Sequence, residues 1–207
     1  MRFWLCASLI CVLGCAAATA QAQTPPAQTP PAQTPPPAAT GQGAARRGNE
    51  TLLAGLRPGR DTVAVAEKRF KVKNAPVEAG STSREWRDDC SGRSIHLELD
   101  AKSVIQSVTI TTLGTPEGKC SDRRPDFLDP RNWLTGLGLR MGDSQDRVVA
   151  VYGEPNSGGP ASKNGQDLVL LYYQFDWAGS DVPQVMEVLC ARDTGRVVEI
   201  TLAFPSL

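Results

Sequence analysis

The sequence lacks an excess of either charge, and it has almost no histidine. Its 207 residues include 22 Lys and Arg against 22 Asp and Glu, and His96 is the one histidine. Binding to nucleic acid or to anionic lipid requires surplus cations that replace counterions, so we expect no nucleic-acid partner. The sequence also has no HExxH, HxH or CxxC spacing and no Walker loop, which are patterns that hold metals or nucleotides. We therefore expect no cofactor, no metal and no enzyme activity.

Two short motifs come close to catalytic signatures but lack required parts. Gly142-Asp143-Ser144 is like the Gly-Asp-Ser block of one esterase class, yet such a serine needs a histidine further along, and none follows His96. The glycine spacing over 136–142 misses the dinucleotide fingerprint by one position and does not open a βαβ unit. Four acidic residues could gather into a calcium site, although acids in turns are ordinarily solvated: Asp88, Asp89, Asp122 and Asp126.

Long hydrophobic runs are absent except at the N-terminus. The apolar stretch Phe3–Gly14 follows one arginine and precedes small residues, which is the order of a secretion signal. Its twelve residues are fewer than the roughly 20 that a membrane-spanning helix needs. We predict a signal peptide over 1–22, cleaved after Ala20 or Ala22, and an exported protein of the periplasm or the extracellular space. In the alternative, Cys15 ends a lipobox and is lipidated, which would make the protein an outer-membrane lipoprotein with membrane contact through that lipid.

Prolines are concentrated in one segment. Of the 16 prolines, seven lie in the repeat QTPPA-QTPPA-QTPPP over 23–37. Proline fixes φ and cannot donate a backbone hydrogen bond, so this run favours a semi-rigid polyproline II spacer. With the glycine-containing residues that follow, it predicts a disordered linker over 23–48 that serves as a tether or is an inert leader. Removing Arg2 with the leader leaves 21 basic and 22 acidic residues, so the rest of the chain stays near neutral.

A five-residue pattern occurs twice, as Gly55-Leu56-Arg57-Pro58-Gly59 and as Gly138-Leu139-Arg140-Met141-Gly142. Each copy precedes a short amphipathic helix, capped by Asp61 in the first half and by Asp143 or Ser144 in the second. A loop with Pro and Gly follows each helix, and three runs with strand-like alternation follow each loop. These runs cover about 84–90, 94–100 and 105–112, and then about 168–177, 185–191 and 196–204.

The repeated pattern predicts an α+β fold in which two helix-plus-three-stranded antiparallel meander repeats pack as one domain. The predicted αβββ repeats cover 49–122 and 123–207. Units of about 80 residues bury little apolar surface alone, so we expect their sheets to be continuous or to abut.

The second half resembles a known family. Gly142-Asp143-Ser144-Gln145-Asp146-Arg147-Val148, continued by Gly153-Glu154-Pro155, is similar to the Gly-x-Ser-x-x-x-Val-x4-Gly-x-Pro signature of the SmpA/OmlA (BamE-like) family. Its members are small bacterial envelope lipoproteins with two helices on a three-stranded sheet. Two such units in tandem resemble the fold of the secreted β-lactamase inhibitor protein, which grips an enzyme with a concave sheet face. In the first half, Phe70 and Val72 stand where the signature has Gly and Pro, and no functional residues carry over.

Three cysteines lie beyond the predicted leader. In the predicted meander, Cys90 and Cys120 fall at the same end of the sheet, and export permits a disulfide between them. Cys190 lies in a strand on an apolar face, which predicts a buried and inert thiol. The alternative, a thiol nucleophile, would need an accessible and electropositive setting near a histidine.

The predicted outer sheet face of the second half carries more apolar area than a solvated face should. The residues expected to contact a partner there are Leu168, Leu170, Tyr172, Gln174, Leu189 and Val197. In the alternative, the two halves or another chain bury this face.

We expect an exported, non-enzymatic protein-binding or envelope scaffold module with an unidentified protein partner. The alternative function is a secreted enzyme inhibitor resembling the β-lactamase inhibitor protein.

Overall fold

Seven antiparallel strands form one sheet in the order β1-β2-β3-β7-β6-β5-β4. The computed structural model describes residues 49–71, 81–116, 120, 125–175 and 184–204. The predicted signal peptide over 1–22, the predicted linker over 23–48 and Cys15 lie outside these residues. The strands are β1 Ser83–Asp88, β2 Arg93–Leu99, β3 Ile105–Thr111, β4 Ser157–Lys163, β5 Gln166–Phe175, β6 Gln184–Ala191 and β7 Val197–Ala203.

The prediction of two helix-plus-three-stranded repeats is wrong. Thr109 of β3 pairs with Thr201 of β7, so the described strands form a single seven-stranded sheet. Within the described residues, four strands rather than three follow the second helix. The extra strand is β4, in a segment whose prolines and glycines indicated a loop. An edge strand tolerates Pro and Gly because one side of it needs no ladder hydrogen bonds. Asn164 and Gly165, with φ of 52° and 75°, form the two-residue turn that joins β4 to β5.

Two short α-helices pack against this sheet in the described part of the chain, α1 over Val63–Phe70 and α2 over Gln145–Tyr152. Ser144 caps α2 as expected, because its side chain accepts a hydrogen bond from the Arg147 amide. Asp61 does not cap α1; its carboxylate instead accepts from the Arg57 amide at 2.8 Å, within the preceding turn. None of the helices in the described residues is long and apolar enough to cross a membrane.

The repeated turn docks on the sheet in the same way twice. The Gly59 amide donates to the Ile105 carbonyl at 2.6 Å, and the Gly142 amide donates to the Val197 carbonyl at 2.8 Å. Both glycines have positive φ, 75° and 86°, a conformation that glycine adopts without strain. The pattern found in the sequence therefore marks a recurrent turn before a helix, and not a recurrent αβββ unit.

The main core lies between the helices and one face of the sheet, here called the inner face. Phe70 of α1 meets Trp86 of β1 edge to face, with ring centroids 5.0 Å apart. Tyr152 of α2 contacts both Tyr173 and Phe175 of β5, at 5.6 and 5.8 Å between centroids. Since these residues belong to one cluster of buried side chains, both helices stabilise the same continuous core.

Candidate functional site

The sheet curls so that its opposite face, here called the outer face, is concave. The side-chain amide of Asn164, in the β4–β5 turn, donates to the Leu113 carbonyl just after β3 at 3.1 Å. β3 and β4 are four strand positions apart in the sheet, which would place them about 19 Å apart if the sheet were flat. The tip of the β4–β5 hairpin must therefore bend back over the outer face.

A salt bridge holds this hairpin tip in place. Lys163 Nζ lies 2.7 Å from both carboxylate oxygens of Glu199 on β7. The Glu199 side chain is only 7% exposed, whereas that of Lys163 is 45% exposed. Leu113 and Leu168 are buried but lie outside the main core cluster. The hairpin tip thus closes one end of the concave face, where it covers apolar side chains and one carboxylate.

Beyond the hairpin tip, the concave face is open along β5 and β6. Leu170 pairs directly with Leu189, and Tyr172 pairs with Glu187. The side chains of Leu170, Tyr172 and Leu189 are half-buried, and Gln174 at the end of the row is exposed. The α-helices pack on the inner face, so in the described part of the chain no helix covers these four predicted contact residues.

Two of the six predicted contact residues, Leu168 and Val197, do not lie on the open surface. Leu168 is on the outer face but fully buried, at 0% exposure. Val197 is in the main core on the inner face. A register shift between Leu189 and Cys190 pairs Val197 with Cys190, and this irregularity reverses the face that simple alternation assigns to Val197.

The rest of the outer face is polar and acidic. Thr109 and Thr201 share a hydrogen bond of 2.9 Å where the two halves of the sheet meet. Glu85 lies across from His96 in the β1–β2 pair, and it is exposed. Glu98 is also exposed and accepts a hydrogen bond from the Ser107 hydroxyl at 3.0 Å. A partner that covers this face would meet an apolar patch beside several carboxylates.

The described residues contain no group of three or more His, Cys, Asp or Glu side chains that could hold a metal ion. Of the acids considered for calcium, Asp88 accepts hydrogen bonds from the amide and the hydroxyl of Ser91, and Asp126 is an exposed residue of a 3₁₀ turn. Asp122 lies outside the described residues. His96 is partly exposed on its strand.

The cysteines are placed as the sequence analysis expects. Cys90 and Cys120 form a disulfide, with Cα atoms 4.8 Å apart. Cys190 is a free and fully buried cysteine. Desolvation raises the pKa of its thiol to about 11, so the thiolate that nucleophilic attack requires is disfavoured.

Sequence reasoning missed a buried carboxylate at the start of the described chain. Glu50 is 2% exposed. Its two oxygens accept five hydrogen bonds, from the amides of Thr51, Leu52, Gly136 and Leu137 and from the Tyr152 hydroxyl. Burial and, as the second cause, the charge of Glu50 raise the pKa of Tyr152 well above its usual value. The phenol therefore keeps its proton and remains a hydrogen-bond donor. No local motif marks Glu50, because three of its donors come from far along the chain.

No protein-family model matches this chain, and no curated protein matches it. Among solved structures, it is similar to a DUF4309 family protein, YjgB, from Bacillus subtilis, with a TM-score of 0.39 and 11% identity. The likeness covers 73% of this chain and 83% of that chain.

Proposed function

We propose that this protein is an exported, non-enzymatic binding or scaffold module that holds a protein partner on the concave face of its sheet. The observation that carries the proposal is the half-buried group of Leu170, Tyr172 and Leu189 on that face. Two of these residues face each other across β5 and β6, so they form one continuous apolar patch. Aromatic and aliphatic anchors surrounded by polar residues are typical of protein interfaces.

The curvature of the sheet supports a binding role for this patch. A fixed concave surface can surround a protruding side chain or loop of a partner at a low cost in conformational entropy. The Lys163–Glu199 contact at 2.7 Å and the Asn164–Leu113 contact at 3.1 Å hold the curvature in the free protein. Binding therefore requires no rearrangement of the described sheet.

A photo-crosslinking amino acid placed at Tyr172 or Leu170 tests this function. We expect both positions to capture the same protein from cell-envelope or culture-medium extracts. The matched control is Val65, a hydrophobic residue of α1 that is 45% exposed and lies away from the concave face. Capture of the same protein from Val65, or no capture from the sheet positions of a folded chain, contradicts the proposal.

The captured partner, once purified, gives the quantitative test. Tyr172→Ala and Leu170→Ser should each weaken its affinity by about thirtyfold or more, because central interface anchors contribute roughly 2 kcal/mol or more each. Val65→Ala should leave the affinity unchanged. Circular dichroism and thermal unfolding would establish that the variants remain folded.

A secreted enzyme inhibitor is the second candidate, because a concave sheet face is also the surface with which the β-lactamase inhibitor protein grips its enzyme. Inhibition assays against β-lactamases and secreted proteases separate the two functions. An inhibitor would lower turnover at stoichiometric concentration and would lose potency in Tyr172→Ala. A scaffold would bind its partner without changing any enzyme rate.

Export is part of the proposal. The N-terminal order of charged, apolar and small residues supports it, and so does the Cys90–Cys120 disulfide, since such bonds persist in oxidising compartments. Mass spectrometry of the mature N-terminus decides between cleavage near Ala22 and lipidation of Cys15. Retention of residues 1–22 in the mature protein would contradict export by this signal.

A further inference from the structure

A small pocket lies beside the second copy of the repeated turn, and the proposed function does not use it. Its volume is about 170 Å³. The residues that line it are two arginines and four residues with apolar side chains: Arg93, Arg140, Leu128, Pro130, Trp133 and Met141. None of these described lining residues is acidic. The pocket thus pairs positive charge with an apolar wall.

The two arginines are not neutralised by ion pairs in the described part of the chain. Asp88 is the cross-strand neighbour of Arg93, but its carboxylate accepts hydrogen bonds from Ser91. The carboxylate of Asp143 accepts from the backbone amide of Arg140 at 2.8 Å. The guanidinium donors of both arginines therefore remain available for an anion.

The apolar wall is held rigidly before any ligand arrives. Trp133 is 6% exposed, and its indole N–H donates to the Phe127 carbonyl at 3.0 Å, which fixes the plane of the ring. The Arg93 guanidinium lies 5.6 Å from the centroid of that ring, so a cation–π contact also orients the arginine. Because ring and guanidinium are already ordered, a ligand would bind with a small entropic cost.

We propose that this pocket binds a carboxylate carried on a short apolar group. Arg93 and Arg140 would hold the carboxylate, since a guanidinium presents paired N–H donors that match its two oxygens. Trp133, Leu128 and Met141 would contact the apolar part. The pocket lies on the helix side of the sheet, so this site is independent of the concave face.

Two sources could supply such a carboxylate, and the experiment distinguishes them. One is a free small organic acid, for which benzoate is the probe. The other is the C-terminus of a protein chain, for which the probe is a tetrapeptide ending in phenylalanine with a free carboxylate. Benzamide and the amidated tetrapeptide are the neutral controls, because they keep the apolar part and remove the negative charge.

The measurement is a titration of the ¹⁵N-labelled chain without residues 1–22, followed by NMR, with the indole N–H signal of Trp133 as the readout. Trp133→Phe identifies that signal among the tryptophan indole signals. We expect benzoate or the free peptide to shift it with saturation, and the matching amide to bind about tenfold more weakly, as expected for the loss of one charged hydrogen bond. Tighter binding of benzoate indicates a small acid, and tighter binding of the peptide indicates a chain terminus.

Variants of the two arginines complete the test. Arg93→Gln and Arg140→Gln should each weaken binding by about tenfold, while Arg57→Gln, an exposed arginine of the first repeated turn, should not. Arg140 is itself exposed, so its variant should fold even if Arg93→Gln does not. The proposal is overturned if neither acid shifts the Trp133 signal at about 50 mM of added probe. That concentration is roughly tenfold above a Kd of a few millimolar, so even weak binding would be seen. It is equally overturned if Arg140→Gln binds as tightly as the unaltered protein.

Discussion

The Tyr152 hydroxyl donates a hydrogen bond to the Glu50 carboxylate at 2.7 Å, and so joins residues 102 positions apart. The same hydroxyl lies 2.6 Å from the hydroxyl of Thr135. Glu50 also accepts from the amides of Gly136 and Leu137, in the turn between the two halves of the chain. One buried carboxylate therefore connects the first described residues, the central turn and helix α2.

Replacing this carboxylate should destabilise the fold. Each oxygen of Glu50 accepts at least two hydrogen bonds, so the amide nitrogen of Glu50→Gln would face donors in either orientation. We expect a loss of about 1–3 kcal/mol in the free energy of unfolding, the cost of leaving buried groups unsatisfied. Urea unfolding measures this loss, and Glu85→Gln on the exposed face of β1 is the control. Equal stability of Glu50→Gln and the control would contradict the structural role of Glu50.

The disulfide between Cys90 and Cys120 should be a large contributor to stability. It closes a loop with a sequence separation of 30 residues, which stabilises by roughly 3–4 kcal/mol in the chain-entropy model. The double variant Cys90→Ser, Cys120→Ser should lose that amount in urea unfolding under oxidising conditions. Adding a reductant should lower the stability of the unaltered protein but not of the variant. A loss of less than about 1 kcal/mol in the variant's free energy of unfolding would contradict a stabilising role for this disulfide.

Hydrophobic alternation located most strands but not their arrangement. The predicted runs agree to within one residue with three observed strands. They are 94–100 for β2 at Arg93–Leu99, 105–112 for β3 at Ile105–Thr111, and 185–191 for β6 at Gln184–Ala191. These strands bury one face, so their period of two is visible in the residue types. β4 has no such pattern, because an edge strand made of Ser, Gly, Pro and Ala buries little.

The sequence did contain a signal for β4 that hydrophobic periodicity could not detect. Asn164-Gly165 is a strong indicator of a two-residue hairpin turn, and a turn there requires a strand on its N-terminal side. The position of Val197 was not predictable in this way, because a register shift near Cys190 depends on both strands. The role of Glu50 depends on donors 86 to 102 residues away, so this role is visible only in the folded structure.

Lys163 and Glu199 should be energetically coupled, because their contact holds the hairpin tip over the outer face. Lys163→Met would leave Glu199, whose side chain is 7% exposed, without its cation, and we expect a loss of about 1–3 kcal/mol. Lys163 is itself half-exposed, which keeps the expected loss below that of a fully buried pair. The double variant Lys163→Met, Glu199→Leu should be more stable than Lys163→Met alone, because it removes the unpaired charge. Urea unfolding of the full double-mutant cycle measures this coupling, and strictly additive losses would contradict it.

The buried thiol of Cys190 should be unreactive in the folded protein. Desolvation raises its pKa from 9.0 to about 11, and the side chain is fully buried, so iodoacetamide at pH 8.5 should label it at least about tenfold more slowly than in urea. Mass mapping of the peptide that carries Cys190 measures both rates.

The stability that Cys190 contributes should depend on pH. Because its folded pKa lies above the unfolded one, the stabilisation from the neutral thiol is complete below pH 9 and is lost as the pH rises towards 11. The stability difference between the unaltered protein and Cys190→Ala should therefore shrink over that interval, and a difference that grows with pH would contradict burial of the thiol.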